Sequence, residues 1–239
     1  MKLSPQEKAA HKAAFRAMSP RKKADHIFTY YKWPILLGLL ALLVLGSVLH
    51  RELTRKEPVL YLAMINVSVG EDMEKQLTAD FLTAAGRDAR RQEIYLYRGL
   101  YLSENADTLN HEYAYASKMK LTGAISARKL DLALMNREAY DILSRNGYLL
   151  DLSAQVDSRA SALLTANEVV LSNNSLEVLL GEAEQEQCVT ETVSNALAVG
   201  TLPVFQNAGF DGELYLGVIG NSPRPVEAAA YLSFVCACP

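Results

Sequence analysis

The order of apolar and polar positions divides the chain into three stretches of different character. Residues 34–49 (PILLGLLALLVLGSVL) carry no charge, and Trp33 extends this run to the lower end of what crosses a bilayer as a helix. The residues before the run are polar and basic, and those after it alternate between apolar and polar segments, as in a globular domain. This pattern predicts a basic tail over 1–33, a transmembrane helix over 34–50, a polar stalk over 51–57 and a folded domain over 58–239.

The first half of the folded domain alternates strand-like and helix-like segments. Apolar runs rich in β-formers predict strands, and apolar positions at helical spacing predict the helices between them. We expect strands at 59–67, 94–102 and 130–135, helices at 70–86, 109–129 and 137–144, and a closing segment at 148–152. The side chains that we expect to face inward are Met73, Leu77, Phe81 and Leu82 in the first helix, and Tyr113, Ala116, Met119, Ala124 and Ile125 in the second.

The second half of the domain has a more mixed pattern. It predicts strands at 167–171 and 214–219, an antiparallel pair at 176–180 and 188–193 around an acidic loop, and a last helix at 226–235. Strands that alternate with helices, as in the first half, usually lie parallel in one sheet. The predicted fold class is therefore α/β, with a mostly parallel sheet flanked by helices and one N-terminal transmembrane helix.

Charge is distributed unevenly on the two sides of the apolar run. Residues 1–33 contain eight Lys and Arg against two acids, whereas the remainder contains 16 basic residues against 25 acids. Basic residues beside a first membrane helix stay in the cytoplasm, so we expect a cytoplasmic N-terminus, an extracytoplasmic domain and the lipid bilayer as a partner. A cleaved signal peptide is the alternative, but the run is long for one and no small-residue cleavage site follows it. The acidic domain argues against nucleic-acid binding.

Histidine is scarce in the predicted domain, which argues against most catalytic and metal sites. Three of the four histidines, His11, His26 and His50, lie in the tail or at the membrane edge, and His111 alone lies in the domain. Hydrolase triads and zinc sites place histidine beside other fixed groups, and the chain has no phosphate-binding, dinucleotide-binding or nucleophile-elbow motif. We therefore expect a non-catalytic protein with no cofactor and no bound metal.

The three cysteines, Cys188, Cys236 and Cys238, cannot all pair with one another. Outside the cell Cys188 could form a bridge with one of the two terminal cysteines. The other interpretation is that all three are small, buried or tolerated thiols. The sequence leaves both open.

Three tyrosines on one predicted strand are the first candidate ligand-binding residues. With Gly99 between them, Tyr95, Tyr97 and Tyr101 would share one face, because alternate residues of a strand point the same way. Tyrosine offers a flat apolar surface with a polar end, which suits the wall of a binding site. The opposite face would carry Ile94, Leu96, Leu100 and Leu102. The alternative is a sheet face that a helix covers.

The turn before the last helix is the second candidate. Asn221 and Ser222 would supply hydrogen-bond donors there, and Arg224 a positive charge. Backbone N–H groups at the start of a helix can bind anions, so this turn is a candidate anion site. A plain N-cap is the alternative.

Two segments resemble parts of extracellular solute-binding proteins. One is 130–152, LDLALMNREAYDILSRNGYLLDL, and the other is 214–234, LYLGVIGNSPRPVEAAAYLSF. The whole chain, including YYKWP at 30–34, resembles a group of single-pass membrane proteins of Gram-positive bacteria whose outer domain is type 2 periplasmic-binding-like. The resemblance implies an α/β fold that captures a ligand between two lobes. The domain here has about 180 residues, fewer than two full lobes usually need, so we expect a truncated version of that fold.

These observations predict a membrane-anchored, extracytoplasmic, solute-binding-like domain that takes a small molecule or a peptide. The second hypothesis is an accessory or interaction subunit of a membrane complex, with a membrane protein as its partner. The third is a carboxylate-dependent envelope enzyme, which would need a carboxylate with a raised pKa in a cleft.

Overall fold

The computed structural model describes residues 19–54, 56–104, 110–153, 169–180, 187–210 and 213–237. The chain divides into two compact units, Met1–Arg55 and Lys56–Pro239. The predictions for the first 18 residues, residues 181–186 of the predicted acidic loop 181–187, Cys238 and the side chain of Cys188 lie outside the described residues. So do the first residue of the helix predicted at 109–129 and the first two of the strand predicted at 167–171.

The first unit contains one long helix, α1 (Pro20–Thr54), with Pro34 inside it. Its apolar part, Trp33–His50, has a mean hydropathy of 2.1 and none of it is buried. This segment is long and apolar enough to cross a membrane, in agreement with the predicted span. The helix extends beyond the span in both directions, and its last turn includes residues 51–54, for which the sequence pattern predicted a polar stalk.

The second unit is built on one six-stranded sheet. Its strands are β1 (Glu57–Ile65), β2 (Gln92–Leu100), β3 (Leu132–Asn136), β4 (Val170–Leu180), β5 (Gln187–Ala198) and β6 (Leu214–Val218), in the order β2-β1-β3-β6-β5-β4. The helices are α2 (Glu71–Lys75), α3 (Phe81–Ala84), α4 (His111–Ser126), α5 (Arg137–Arg145), α6 (Pro203–Gln206) and α7 (Pro225–Ala237), and a π-helical turn (Gln76–Asp80) joins α2 to α3. The predicted strands at 59–67, 94–102, 130–135 and 214–219 are confirmed to within two residues.

The sheet is mixed, so the prediction of an α/β fold is confirmed and that of a mostly parallel sheet is not. β1 lies parallel to β2 and to β3, as predicted from the alternation of strands and helices. Each of the pairs β3–β6, β6–β5 and β5–β4 is antiparallel. The difference has a physical cause, because parallel neighbours need a crossover such as α4, whereas a hairpin such as β4–β5 makes its strands antiparallel.

Two core layers cover the two faces of the sheet. On one face the π-helical turn, α3 and α7 contribute Leu77, Phe81 and Tyr231. On the other face α4 and α5 contribute Leu121 and Tyr140. The inward positions predicted at 70–86 are confirmed, since Met73, Leu77, Phe81 and Leu82 are all buried.

The inward face predicted for α4 is only partly correct. Ala124 and Ile125 are buried, but the residues that complete the buried stripe are Ser117 and Leu121. The other three predicted positions are exposed: Tyr113, Ala116 and Met119. Met119 lies off this stripe, and Tyr113 stands in the first turn of the helix, where its ring stacks on Tyr101 instead of entering the core.

A buried polar network joins α5 to the β4–β5 hairpin. The Tyr140 hydroxyl lies 2.8 Å from the Ser172 carbonyl oxygen and 2.9 Å from Oδ1 of Asn195. Nδ2 of Asn195 donates to the Ser144 hydroxyl at 2.7 Å, which donates to the Ser175 carbonyl at 2.8 Å. Asn195 is the extra residue of a β-bulge, because the pairing passes from Ser172 opposite Ala196 to Asn173 opposite Ser194. The network therefore satisfies the polar groups that the bulge leaves inside the protein.

Candidate functional site

Two of the three candidate tyrosines lie together, in a cluster around a tyrosine of the neighbouring strand. The ring centre of Tyr61 on β1 is 5.6 Å from that of Tyr95 and 6.3 Å from that of Tyr97, and the last two are 5.0 Å apart. Tyr101 lies beyond the end of β2 and stacks on Tyr113, with ring centres 6.3 Å apart. The predicted wall of three tyrosines is therefore divided between two places.

A β-bulge at the end of β2 explains this division. The pairing with β1 shifts between Ala63 and Ile65, and Gly99 in the bulge has a φ of +65°. An extra residue in a strand reverses which face the later side chains take. Leu100 accordingly packs in the same core layer as Tyr97, and Leu102 does too, so their predicted position beside Ile94 and Leu96 is wrong.

Replacing Gly99 with alanine is expected to lower the free energy of unfolding by about 1–2 kcal/mol. The positive φ is unfavourable for alanine, and its Cβ would lie 3.1 Å from the Tyr113 hydroxyl, which donates to the Gly99 carbonyl. Gly86→Ala is the matched control, because Gly86 also has a φ of +65° but its Cβ would meet nothing within 4 Å. Urea unfolding of the full chain should show the larger loss at Gly99, and equal losses would contradict the steric part of the argument.

The donors of the predicted anion-binding turn contact groups of the protein itself. Arg224 donates from one guanidinium nitrogen to both carboxylate oxygens of Asp131, at 2.9 and 3.1 Å, and the Ser222 hydroxyl donates to the same carboxylate at 2.6 Å. The Asn221 amide donates to the Ile125 carbonyl at 2.9 Å. Asp131 is completely buried, so its charge holds Arg224 and Ser222 against the start of β3. In the structure the positive charge of this turn, on Arg224, is therefore already neutralised by the carboxylate of Asp131.

The ion pair joins the tyrosine cluster and thereby brings the two predicted regions together. The guanidinium of Arg224 lies 4.7 Å from the ring centre of Tyr61, within the range of a cation–π contact. The Tyr61 N–H also donates to the Asp131 carboxylate at 2.8 Å. Neither Tyr61 nor Asp131 was among the predicted site residues. For Asp131 a signal existed, since it is the one charged residue in the otherwise apolar run 130–135.

Burial raises the pKa of the Tyr97 phenol, and the neighbouring Tyr95 and Tyr61 raise it further. A tyrosine whose pKa is raised by folding leaves stability independent of pH while the pH stays well below the pKa in the unfolded chain, which is about 10. Above that pH the unfolded chain releases the proton first, so stability falls until the pH passes the raised pKa. We therefore expect the stability of Tyr97→Phe to fall less steeply than that of the parent above about pH 10.

Urea unfolding at a series of alkaline pH values tests this expectation. Tyr115→Phe is the control, because Tyr115 is an exposed tyrosine of α4. An unchanged alkaline slope in Tyr97→Phe would contradict the expectation.

The carboxyl ends of the parallel strands, where α/β proteins often bind ligands, hold an internal hydrogen-bond network. Asn66, which follows β1, accepts the Leu102 N–H at 2.8 Å and donates to the Leu102 carbonyl at 2.7 Å. Its amide nitrogen lies 3.2 Å from Oδ1 of Asn136, which in turn accepts the Ala139 N–H at the start of α5. These side chains fasten the strand ends to one another.

A cleft of about 430 Å³ lies along β2, between this strand and the π-helical turn. Its apolar lining comes from Ala79, Leu82, Ile94 and Leu96, and its charged residues are Lys56, Glu74, Glu93 and Arg98. The predicted site residue Tyr95 also borders the cleft. The other residues of the cleft were not predicted, because nothing in the apolar pattern reveals a π-helical turn.

The charged residues of the cleft are held by specific contacts. Arg98 forms an ion pair with Glu74 across the cleft, and Lys56 donates to the Ala89 carbonyl at 2.7 Å. The Thr78 hydroxyl donates to the Glu74 carbonyl at 2.7 Å, within the segment that changes from α-helix to π-helical turn. Such turns inside helices are frequent at functional sites. The cleft is therefore a candidate ligand site within the part of the chain that the structure describes.

No family model, curated protein or solved structure matches this chain. Its function is therefore inferred from the arrangement of its own residues.

Among the described residues no three His, Cys, Asp or Glu side chains stand close enough together to hold a metal ion. Of the cysteines, Cys236 belongs to α7 and its side chain is buried in the core.

Proposed function

We propose that the chain is a membrane-anchored, non-catalytic, solute-binding-like protein whose extracytoplasmic domain binds a small molecule or a peptide in the cleft beside β2. The observation that supports this function is the cleft itself. Its volume of about 430 Å³ falls within the range of roughly 300–1,000 Å³ that is usual for ligand sites. In the cleft apolar side chains stand beside fixed charges, so the former can supply affinity to a ligand and the latter its orientation.

A matched pair of substitutions at alanine positions tests whether ligand binds in the cleft. Ala79→Leu would fill part of the cleft, whereas Ala84→Leu adds the same atoms to an exposed position of α3 that does not line it. A screen of metabolites and short peptides by thermal shift on the full chain in detergent identifies a ligand, because binding to the folded state raises its apparent stability. The shift should be lost in Ala79→Leu and kept in Ala84→Leu, and equal shifts would place the ligand elsewhere.

The anchor is supported by α1. Every side chain of Trp33–His50 is exposed, and so large an apolar surface is stable in lipid and unfavourable in water. The excess of Lys and Arg before this segment favours a cytoplasmic N-terminus and an extracytoplasmic domain.

We expect the full chain to stay in the membrane pellet after alkaline carbonate extraction and a variant without residues 1–55 to be released. A C-terminal fusion to alkaline phosphatase, which is active only outside the cytoplasm, should be active. If instead a C-terminal reporter that works only in the cytosol is the active one, the proposed orientation is wrong. A mature protein that begins after Leu49 would contradict the proposed anchor.

A second candidate function is an accessory subunit of a membrane complex, which the outer surface of α4 favours. Two large side chains of this helix, one turn apart on the side opposite its buried stripe, are more than half exposed: Tyr115 at 62% and Met119 at 57%. Exposed apolar residues that lie close together often mark protein–protein contacts. A photo-crosslinking amino acid at position 115 should then capture a membrane protein, and one at the opposite, buried face of the helix should not. Absence of any adduct would remove this candidate.

A further inference from the structure

β2 is the terminal strand of the sheet on the side of the cleft. The strand order ends with it, and among the described residues no other strand pairs with its outer edge. An unpaired edge presents a row of backbone N–H and C=O groups that can pair with another extended chain.

The pairing of β1 shows which backbone groups of β2 face outward. Tyr61 accepts the Asp131 N–H at 3.0 Å and donates its own N–H to the Asp131 carboxylate, so its backbone groups face β3. Successive residues of a strand turn these groups to opposite sides, so those of Leu62 face β2, where Leu62 lies in register with Leu96. In a parallel pair such a residue bonds to the two neighbours of the residue opposite it, here Tyr95 and Tyr97.

The outward backbone groups are therefore those of Ile94, Leu96 and Arg98. All three residues line the cleft. The bulge at Gly99 ends this regular edge directly after Arg98. The cleft thus combines a short stretch of free sheet edge with a helical side that offers both apolar residues, Ala79 and Leu82, and polar ones, Glu74 and Thr78.

We propose that this cleft binds an extended peptide segment, which adds to β2 as a further strand of the sheet. This inference rests on the proposed function and names its ligand class. Addition of a strand to a sheet edge is a recurring mode of peptide recognition, in which backbone hydrogen bonds supply affinity and pockets for alternate side chains supply specificity. The outward groups belong to a stretch of five residues, so a segment of about five to seven residues fits.

The lining and the charges indicate the composition of the peptide. Alternate side chains of the added strand would face the apolar surface of Leu82 and Leu96, so these positions favour small or medium apolar residues. Glu93 lines the cleft and makes no salt bridge within the described residues, in contrast to Glu74. The unit Lys56–Pro239 carries 14 Lys and Arg against 24 Asp and Glu. Both observations favour a segment with at least one Lys or Arg.

Random heptapeptides displayed on phage and selected on the full chain in lipid nanodiscs provide the probe. The heptapeptide with the highest affinity is then synthesised as a series of variants, each with an N-methyl group on the backbone nitrogen of one position. Methylation removes a backbone donor, so every second position should lose affinity by about tenfold or more, while the positions between them change little. Replacing the basic residue of the peptide with norleucine, or Glu93→Gln in the protein, should also weaken binding.

Two variants of Arg98 test the protein side. Arg98→Pro and Arg98→Ala both remove the ion pair with Glu74, but only proline also removes the outward N–H. Proline is tolerated on edge strands where the N–H points away from the sheet, and the near-ultraviolet circular dichroism of the tyrosines checks that the variant folds. Peptide affinity should fall by about tenfold in Arg98→Pro relative to Arg98→Ala.

The outcomes separate this inference from the proposed function. A period of two in the methylation series together with a loss in Arg98→Pro supports strand addition. Heptapeptide binding that is insensitive to methylation and equal in the two variants overturns it. If no heptapeptide binds but a metabolite gives a thermal shift that Ala79→Leu abolishes, strand addition is wrong and the proposed function stands. If neither binds, both are wrong.

Discussion

Replacing Asp131 with alanine is expected to lower the free energy of unfolding by about 3–5 kcal/mol. The carboxylate is completely buried and accepts hydrogen bonds from Arg224, from the Ser222 hydroxyl and from the Tyr61 N–H. Its loss would leave the guanidinium, whose side chain is only 24% exposed, without a counter-charge inside the protein. Breaking a buried ion pair by removing one member is costly for this reason, even where the intact pair adds little net stability.

Urea unfolding of the full chain, followed by the near-ultraviolet circular dichroism of the tyrosines, measures this effect. Tryptophan fluorescence would not serve, because the single tryptophan, Trp33, lies in α1. Asp80→Ala, at an exposed position of the π-helical turn, is the control and should change stability by less than about 0.5 kcal/mol. The double variant Asp131→Ala/Arg224→Ala should recover part of the loss, since it removes the unpaired charge. A loss below about 1 kcal/mol in Asp131→Ala would show that the ion pair does not hold the turn.

The second large effect is expected at Tyr140. Tyr140→Ala should cost about 3–5 kcal/mol, because the ring is completely buried and stacks on Tyr215, with ring centres 4.5 Å apart. Tyr140→Phe keeps the ring and removes only the hydroxyl, which lies 2.8 and 2.9 Å from Ser172 and Asn195. We expect a loss of about 1–3 kcal/mol from this variant, since the hydroxyl proton that these two acceptors share is removed and buried Oδ1 of Asn195 loses its donor.

The same unfolding measurement resolves the two parts of the effect. The difference between Tyr140→Ala and Tyr140→Phe reports on the packing of the ring, and the loss in Tyr140→Phe reports on the polar network. Tyr115→Ala, on the exposed surface of α4, is the control for the removal of an aromatic ring. A phenylalanine variant as stable as the parent would mean that the network contributes nothing to stability.

Much of the fold follows from local patterns in the sequence. β1, β3 and β6 are continuous apolar runs, which is why their bounds could be predicted closely. The antiparallel half was harder, because periodicity identifies a strand but not its partner. In β4 the polar residues 172–175 were interpreted as a break between two short strands, yet the strand continues through them. Tyr140 and Ser144 on α5 bond to the carbonyls of Ser172 and Ser175, a tertiary contact that no local pattern contains.

The candidate site was predicted only in part, for similar reasons. The position of Tyr95 and Tyr97 on one face of β2 was predicted because the two residues alternate along the strand. Tyr101 was misplaced because alternation cannot show where a bulge will interrupt it, although Gly99 marked the position. Tyr61 joins the cluster through the register between β1 and β2, and the cleft depends on the π-helical turn. Both are properties of three-dimensional packing.

The central pairing of the sheet has a consequence for synthesis of the chain. β3 pairs with β6, and the residues that face each other across this seam are roughly 80 positions apart in sequence. In a nascent chain in which β1, β2 and β3 have been synthesised, the edge of β3 that pairs with β6 therefore stays unpaired until residue 218 has left the ribosome. Such an edge readily associates with neighbouring chains, and truncation before β6 would make that state permanent. Proper assembly of this sheet thus waits until β6 has been synthesised.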